Sequence, residues 1–257
     1  MMFAPLFDDS SACRFAERTF EVTAASLQHL ARCYPLPPSL QRAVLKRQVE
    51  FLAGRVCAQR AAEALTGRRP AAIPPQPDRA PAWPPGMVGS ITHTSGYAAA
   101  LVASATDYQG IGLDCEVLLS RQQLALRRHI CVAGELEALQ AAHPDWAPEQ
   151  LLTLIFSAKE SLFKCLYRKV QAFFGFPAAR VLRLQPAQHT FVIQLEYDLT
   201  PELRQQAQWT GQFACQNNLL LTALLYISAP QALRASQSEL PACREEAQGR
   251  DVEEPRD

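Results

Sequence analysis

Lysine is scarce in this chain: four lysines stand against 21 arginines among its 257 residues. Acidic and basic side chains balance to a formal net charge of zero, which argues against the bulk binding of nucleic acid that a strongly basic protein shows. No apolar run approaches the length of about 18 residues that a membrane-spanning helix needs. Because three of the four lysines fall within residues 159–169, an ammonium group in that segment requires a chemical explanation.

The cysteines also lack a recognisable pattern. Eight of them occur, with no Cys-x-x-Cys pair and no Cys/His spacing typical of a metal site. Residues 1–10 include Asp8 and Asp9 and no basic start, so they do not read as a signal peptide. We therefore expect a cytoplasmic protein with reduced thiols, and a hydrophobic content of 48% is enough for a substantial core.

The lysine-rich segment contains the sequence FSAKESLFK at residues 156–164, within an apolar helical pattern from about 149 to 168. Glu160 and Lys164 fall on one polar stripe at helical spacing, and leucine and phenylalanine side chains occupy the other side. An i,i+4 ion pair on a solvated helix face would explain this pattern without any chemistry.

A second acidic cluster lies upstream in GIGLDCEV, at residues 110–117, which reads as a short strand. Asp114 and Glu116 are two residues apart, so their side chains point to the same face of the strand. Two close carboxylates repel, and a hard divalent cation such as Mg²⁺ removes that penalty, with Glu160 as a natural third carboxylate. The alternative is an exposed strand edge with two solvated acids.

A third motif, GSITHTSGY at residues 89–97, alternates polar and apolar side chains as a strand does and ends in a Ser-Gly turn. Its Ser90, Thr92 and His93 side chains suit a phosphate or a hydroxyl-rich ligand, although a single histidine is more often structural.

Along the chain, the pattern predicts an α+β protein. Helices are expected from Ser39 to Thr66, closed by Gly67, and from Pro148 through the FSAKESLFK segment. Strands are expected at residues 18–24, 87–104, 110–117, 180–184, 190–197, 211–215 and 219–227, so each half carries one long helix and about three strands. The predicted domains are 1–110, 111–228 and a disordered tail at 229–257, which has no aromatic residue after position 230.

The three motifs, in this order, resemble those of the 4′-phosphopantetheinyl transferases of the enterobactin-synthase/surfactin type. The resemblance covers residues 40–228 and rests on SITH at 90–93, GLDCE at 112–116 and FSAKESLFK at 156–164. Leu113 and Cys115 depart from the usual family residues but still fit inward-facing strand positions. The resemblance implies two pseudo-symmetric lobes, each a small, mainly antiparallel sheet packed with a long helix, in a monomer that binds coenzyme A in the cleft between them.

The resemblance also implies the reaction and its residues. The phosphopantetheine arm of coenzyme A would pass to a serine of an apo acyl or peptidyl carrier protein, with release of adenosine 3′,5′-bisphosphate. Mg²⁺ would be held by Asp114, Glu116 and Glu160, and the catalytic residues would be Glu160, as general base directly or through a water, and Lys164. The expected coenzyme-binding residues are Arg55, Arg79, Ser90, Thr92, His93 and Lys159, with Arg60 and Arg47 as weaker candidates that also fit a solvated helix face.

Carrier proteins are typically acidic, so basic and apolar groups should form the docking face. Candidates are Arg121, Arg127, Arg128 and the segment 168–176, whose phenylalanines would either cover the core or anchor the partner. The pathway, whether siderophore, polyketide, nonribosomal peptide or fatty-acid synthesis, stays open. Two alternatives remain: another Mg²⁺-dependent nucleotide phosphohydrolase, and a non-catalytic module that binds coenzyme A or a carrier.

Overall fold

The N-terminal part of the chain is a three-stranded sheet covered by helices. The computed structural model describes residues 2–3 and 12–227, so the predicted tail at 229–257 lies outside the described residues. Strands β1 (Cys13–Thr19), β2 (Met87–Thr94) and β3 (Tyr97–Ser104) pair antiparallel in the order β1-β3-β2. Helices α1 (Ala24–Cys33) and α2 (Leu45–Thr66) pack with this sheet.

The C-terminal part is a larger antiparallel sheet. Its strands are β4 (Tyr108–Val117), β5 (Ala179–Gln185), β6 (Thr190–Leu195), β7 (Gln208–Gln216) and β8 (Leu219–Ile227), in the order β4-β8-β7-β6-β5. Helices α3 (Arg127–Ile130), α4 (Glu135–Ala142) and α5 (Pro148–Val170) lie between β4 and β5 in sequence. The α+β class with two antiparallel sheets is confirmed, but the expectation of about three strands in each half is wrong for this five-stranded sheet.

Two predicted boundaries near the N-terminus are also wrong. The strand predicted at residues 18–24 lies earlier, at Cys13–Thr19, and Ala24 instead begins α1, because the Thr23 side chain accepts the Ser26 N–H and caps this helix. Ser39 does not begin α2: residues 38–40 form a separate 3₁₀ turn after Pro37, and the helix starts at Leu45. The predicted end at Gly67 is confirmed, in the left-handed conformation that glycine adopts freely.

Local signals elsewhere gave correct boundaries. Helix α5 begins at Pro148 as predicted, where the missing N–H of proline costs nothing. The turn between β7 and β8 places Asn217 and Asn218 at φ of 50° and 62°, the two positive values of a tight hairpin turn that asparagine tolerates.

A shared core joins the two sheets. One buried cluster combines Val88 and Leu101 of the first sheet with Leu113, Cys115 and Leu221 of the second. The turn from one sheet to the other lies at residues 105–107, between β3 and β4, and the predicted division at residue 110 stays a proposal. Across residues 2–3 and 12–227, no helix is long and apolar enough to cross a membrane.

Candidate active site

Strand β4 and helix α5 cross with their backbones almost in contact. An added Cβ at Gly110 would collide with the Cys165 carbonyl oxygen, and one at Gly112 with the Ser161 carbonyl oxygen. Glycine at these positions therefore lets the helix lie directly on the strand. This close approach puts the carboxylates of β4 beside the polar stripe of α5.

At the crossing, Lys164 of α5 contacts Asp114 of β4. The Lys164 ammonium donates to Asp114 Oδ1 at 2.7 Å and to the Leu113 carbonyl oxygen at 3.0 Å. Asp114 is only 4% exposed, and its Oδ2 has no hydrogen-bond partner among the described residues. A buried carboxylate oxygen without a partner is costly, so this oxygen is available to a ligand.

The other two predicted metal ligands lie near Asp114 and interact with it. Burial raises the pKa of Glu116 to about 7, and the Asp114 charge adds to this effect. Burial likewise raises the pKa of Glu160, again with a contribution from Asp114, whereas Lys164 acts in the opposite direction on both. Three carboxyl groups therefore share one electrostatic environment in which their full ionisation is unfavourable.

This donor set fits a hard divalent cation. Carboxylate oxygens are the ligands that Mg²⁺ prefers. Asp114 Oδ2, which has no partner among the residues that the structure describes, and the raised pKa values of Glu116 and Glu160 mark a place where positive charge is favourable. The side chains are not preassembled: within residues 2–3 and 12–227, no three His, Cys, Asp or Glu side chains form a group able to hold a metal ion as they stand. Binding therefore requires these side chains to reorient.

Two hydroxyls of β2 hold the free edge of β4. Ser90 Oγ accepts the Leu113 N–H at 3.0 Å, and Thr92 Oγ1 accepts the Cys115 N–H at 2.9 Å. Both hydroxyls are buried and thus join the two sheets edge to edge. The sequence predicted that both residues bind the coenzyme. Ser90 also lines the large cavity described below, whereas Thr92 does not line it and bonds to the backbone of β4.

His93 faces the same cleft as a neutral side chain. Burial lowers its pKa to about 4, and the positive charges of Arg47 and Lys164 lower it further. Its Nε2 lies 3.0 Å from Arg47 Nη1, and its Nδ1 lies 3.8 Å from a carboxylate oxygen of Glu50.

A large cavity brings most of the predicted coenzyme-binding residues together. It has a volume of about 950 Å³, and its wall includes Arg55, Arg79, Ser90, His93 and Lys164. Arg55 is 6% exposed, stacks 5.0 Å from the Phe51 ring centre, and has a buried Nη1 for which the described part of the chain offers no acceptor. Desolvation by burial lowers the Arg55 pKa to about 10, which leaves it cationic and suited to an anion.

Besides Thr92, two predicted coenzyme-binding residues do not line this cavity. Lys159 is 4% exposed and donates to Glu135 Oε2 at 2.7 Å and to the Ile130 carbonyl oxygen at 2.9 Å, inside the C-terminal lobe. Arg60 lies exposed on α2 and outside the cavity wall. The geometry therefore does not support a phosphate contact for either residue.

The cavity wall also contains residues that sequence reasoning did not assign to the coenzyme. Asp78 accepts a hydrogen bond from the Tyr167 hydroxyl at 3.0 Å. Aromatic surface comes from Phe51, Phe163 and Tyr167. Their aromatic character was visible in the sequence, but the path of the proline-rich loop that brings Asp78 to α5 was not.

Comparisons with known proteins agree with this site. A family model described as the 4′-phosphopantetheinyl transferase N-terminal domain matches residues 37–103, and one described as the 4′-phosphopantetheinyl transferase superfamily matches residues 110–217. The second match contains the β4 carboxylates and the whole of α5.

Individual relatives point the same way. The chain is 36% identical over 204 residues to the 4′-phosphopantetheinyl transferase Svp of Streptomyces mobaraensis, covering 77% of this chain and 79% of that protein. It is 34% identical over 152 residues to PptT of Mycobacterium tuberculosis (57% of this chain, 64% of that one). It is 36% identical over 148 residues to enterobactin synthase component D of Salmonella typhi (56% and 58%). The chain therefore belongs to the 4′-phosphopantetheinyl transferase superfamily, and within it to the enterobactin-synthase type.

Proposed function

We propose that this protein transfers the phosphopantetheine arm of coenzyme A to a serine of an apo acyl or peptidyl carrier protein. The observation that supports this most directly is the crossing of β4 and α5, where Asp114 and Lys164 are in contact beside a cavity lined by His93, Arg55 and Arg79. In the reaction the serine oxygen forms a bond to the β-phosphorus of the coenzyme. The bond from that phosphorus to the bridging oxygen breaks, and adenosine 3′,5′-bisphosphate leaves.

Asp114, Glu116 and Glu160 would hold Mg²⁺. When bound, the ion would supply positive charge against the pyrophosphate, which is the main requirement of phosphoryl-type transfers. The buried Asp114 Oδ2, which has no hydrogen-bond partner in the described part of the chain, supports this assignment.

The proton of the serine hydroxyl goes to Glu160. Because burial and the Asp114 charge raise the pKa of Glu160, its carboxylate is a better base than a solvated glutamate. Hydrogen bonds to Asp114 and to the Leu113 carbonyl oxygen hold the Lys164 ammonium at the crossing of β4 and α5. From this position it can stabilise negative charge on the leaving phosphate.

The cationic and neutral donors of the larger cavity bind the coenzyme. Arg55 has a guanidinium nitrogen that no acceptor within residues 2–3 and 12–227 contacts and that can bind a phosphate, and neutral His93 can donate one ring N–H. Arg79 would contact the 3′-phosphate, as the resemblance implies, and it lies on the rim with its side chain exposed.

The carrier would dock beside the mouth of this cavity. Phe173 is 84% exposed and lines the cavity edge, whereas Phe174 and Phe176 are half-buried against the core, so Phe173 is the candidate anchor. Arg121, Arg127 and Arg128 are exposed and offer positive charge to an acidic partner, although Arg127 lies 3.3 Å from Glu137.

The relatives suggest the kind of carrier. One of them is named a component of enterobactin synthase, so we propose carriers of siderophore, polyketide or nonribosomal peptide synthesis as first candidates and those of fatty-acid synthesis as second. A cytoplasmic monomer remains the proposal from the sequence.

The direct test is incubation of the protein with coenzyme A, Mg²⁺ and a panel of purified apo-carriers, followed by intact mass measurement of each carrier. A gain equal to one phosphopantetheine group on a carrier is expected, and its loss is expected after chelation of Mg²⁺. Asp114→Ala, Glu160→Gln and Lys164→Ala should each slow the gain severely while the circular dichroism spectrum stays unchanged. Wild-type rate in Asp114→Ala would refute the metal assignment.

The same assay separates the phosphohydrolase and the non-catalytic alternatives. Consumption of coenzyme A without a carrier mass gain would favour a hydrolase. Binding of coenzyme A with neither consumption nor a mass gain would favour a binding module.

A further inference from the structure

A short hairpin of the proline-rich loop extends across the cleft. Residues 74–82, here called the 74–82 hairpin, are closed by the Gln76 N–H to Ala80 carbonyl and Ala82 N–H to Pro74 carbonyl hydrogen bonds, both 2.8 Å. Immediately before it, Ile73 is fully buried and donates its N–H to the Tyr34 hydroxyl. The start of the hairpin is thus anchored in the N-terminal lobe, and its tip contacts helix α5 of the C-terminal lobe through Asp78.

One carboxylate at the tip makes two contacts. Asp78 Oδ1 accepts the Ala80 N–H at 3.0 Å, the local turn contact that aspartate favours. Asp78 Oδ2 accepts the hydroxyl of Tyr167, on α5, at 3.0 Å. The hydrogen bond to Asp78 is also the main reason why the pKa of Tyr167 is raised, consistent with a hydroxyl that keeps its proton.

Arg79 lies between Asp78 and Ala80 at the tip of the hairpin and has a φ of 71°. An L-residue other than glycine is disfavoured in this left-handed region, so the surrounding contacts must hold it there. Asp78 supplies one of those contacts through the Ala80 N–H. The direction in which the Arg79 side chain leaves the hairpin therefore depends on the Asp78 carboxylate.

The Asp78–Tyr167 contact lies where two cavities meet. Both residues line the larger cavity and also a second cavity of about 740 Å³, walled by Trp83 and the prolines that follow it. Arg79 belongs to the wall of the larger cavity, together with His93 and Arg55, and not to that of the second.

We propose that Asp78 and Tyr167 are positioning residues that fix the 74–82 hairpin against α5, so that Arg79 faces the 3′-phosphate of coenzyme A in the larger cavity. This inference rests on the proposed function. A hairpin already fixed in the free protein loses less conformational freedom when the coenzyme binds, which strengthens binding without a new contact. The contact should act on recognition of the 3′-phosphate and leave the chemical step unchanged.

The test compares coenzyme A with 3′-dephospho-coenzyme A in a protein that has lost only one hydroxyl. Tyr167→Phe should raise the calorimetric Kd for coenzyme A about three- to ten-fold, and that for the dephospho form less than about two-fold. With an apo-carrier, KM for coenzyme A should rise while kcat stays within about two-fold. Tyr197→Phe, at an exposed tyrosine outside both cavity walls, is the matched control.

A second variant guards against indirect effects. Arg79→Ala should lower the preference for coenzyme A over the dephospho form, and adding Tyr167→Phe to it should change the preference no further, because the Tyr167 hydroxyl acts on the 3′-phosphate only through Arg79. An unchanged preference in Tyr167→Phe, or effects of the two changes that multiply, would overturn the proposal. Since the Kd values do not depend on turnover, a wild-type protein that binds coenzyme A but modifies no carrier would refute the transferase function separately.

Discussion

Two lysines on one helix have opposite environments. Lys159 and Lys164 are five residues apart, which corresponds to about 140° of rotation around a helix, so their side chains lie on different faces of α5. Lys164 meets Asp114 in the cleft, whereas Lys159 is enclosed with Glu135. The Glu135 carboxylate also accepts the N–H groups of Val132 and Val181, so the ion pair connects α5 with the start of α4 and with β5. We infer a structural role for Lys159.

Replacement of Lys159 should therefore affect stability and not coenzyme binding. Lys159→Met leaves the Glu135 carboxylate buried without its cation, and we expect the free energy of unfolding to fall by about 3–5 kcal/mol. KM for coenzyme A should stay within about two-fold of wild type, measured below the unfolding transition. Lys164→Met, the matched variant, also leaves a buried carboxylate, that of Asp114, without its cation, so it too should lower stability, but it alone should abolish transfer by the folded protein. A higher KM with unchanged urea unfolding in Lys159→Met would restore its predicted phosphate contact.

His93 gives the protein a predictable acid sensitivity. Its folded-state pKa of about 4, caused first by burial and then by Arg47 and Lys164, lies below the value of about 6.5 in an unfolded chain. As pH falls from about 6.5 to about 4, the unfolded chain takes up a proton that the folded protein does not, so stability falls in this window and this contribution is constant below it. The raised pKa of Glu116 acts in the opposite direction in the same window, so the test is the difference from wild type: the urea midpoint of His93→Gln should rise relative to that of the wild type as pH is lowered from about 7 to about 4.5. An identical slope in the variant would show that His93 is not buried as a neutral group.

At the scale of elements, the crossing of β4 and α5 depends on glycine. At Gly112 a methyl group would meet the Ser161 carbonyl oxygen, which belongs to the helix backbone and cannot rotate away. Gly112→Ala should force the helix off the strand, lower the free energy of unfolding by about 1–3 kcal/mol or more, and reduce transfer because Lys164 moves from Asp114. Urea unfolding and the carrier mass assay measure both effects.

The control for this variant in urea unfolding is Gly175→Ala, which is not used as a control for transfer because it lies in the segment 168–176 proposed for carrier docking. At Gly175 an added Cβ would lie no closer than 3.5 Å to another atom, and φ is −87°, so alanine should fit. Equal losses in the two variants would mean that the close crossing is not what Gly112 provides.

The elements that the sequence predicted well are those with local signals. Pro148 marks the start of α5, Gly67 the end of α2, and two asparagines the β7–β8 turn, because each of these residues has a backbone preference of its own. The alternation in β2 correctly predicted a strand, but it could not reveal that the hydroxyls of Ser90 and Thr92 bond to the edge of β4. That contact depends on which sheet lies alongside, and periodicity carries no such information.

The same limit applies to the candidate site as a whole. The carboxylates of β4 and the Glu160–Lys164 pair were found because each forms a regular pattern within one element, and the resemblance supplied their common purpose. The contact between Asp78 and Tyr167 joins residues 89 positions apart through an irregular loop, and no sequence pattern specifies where such a loop runs. The burial of Lys159 likewise depends on α4 and β5 closing over it.

At the scale of the whole molecule, the cleft lies between two sheets that share a core. Val88 and Leu101 of the first sheet pack in one cluster with Leu113 and Leu221 of the second, and the hydroxyls of β2 bond to the backbone of β4. Neither sheet can lose this cluster without exposing the apolar face of the other. The cleft should therefore persist only while both lobes are folded, and the lobes should unfold together.

Calorimetry tests this coupling. We expect a single heat-absorption peak whose calorimetric and van't Hoff enthalpies agree, as for one cooperative unit. Leu113→Ala in the shared cluster should cost about 2–5 kcal/mol and shift the whole peak downward by several degrees without splitting it. Val56→Ala, in the cluster under α2, should also move the whole peak, because destabilising one lobe removes the support of the other. Two peaks, of which Val56→Ala moves only one, would mean that the lobes fold independently and that the shared cluster is too weak to couple them.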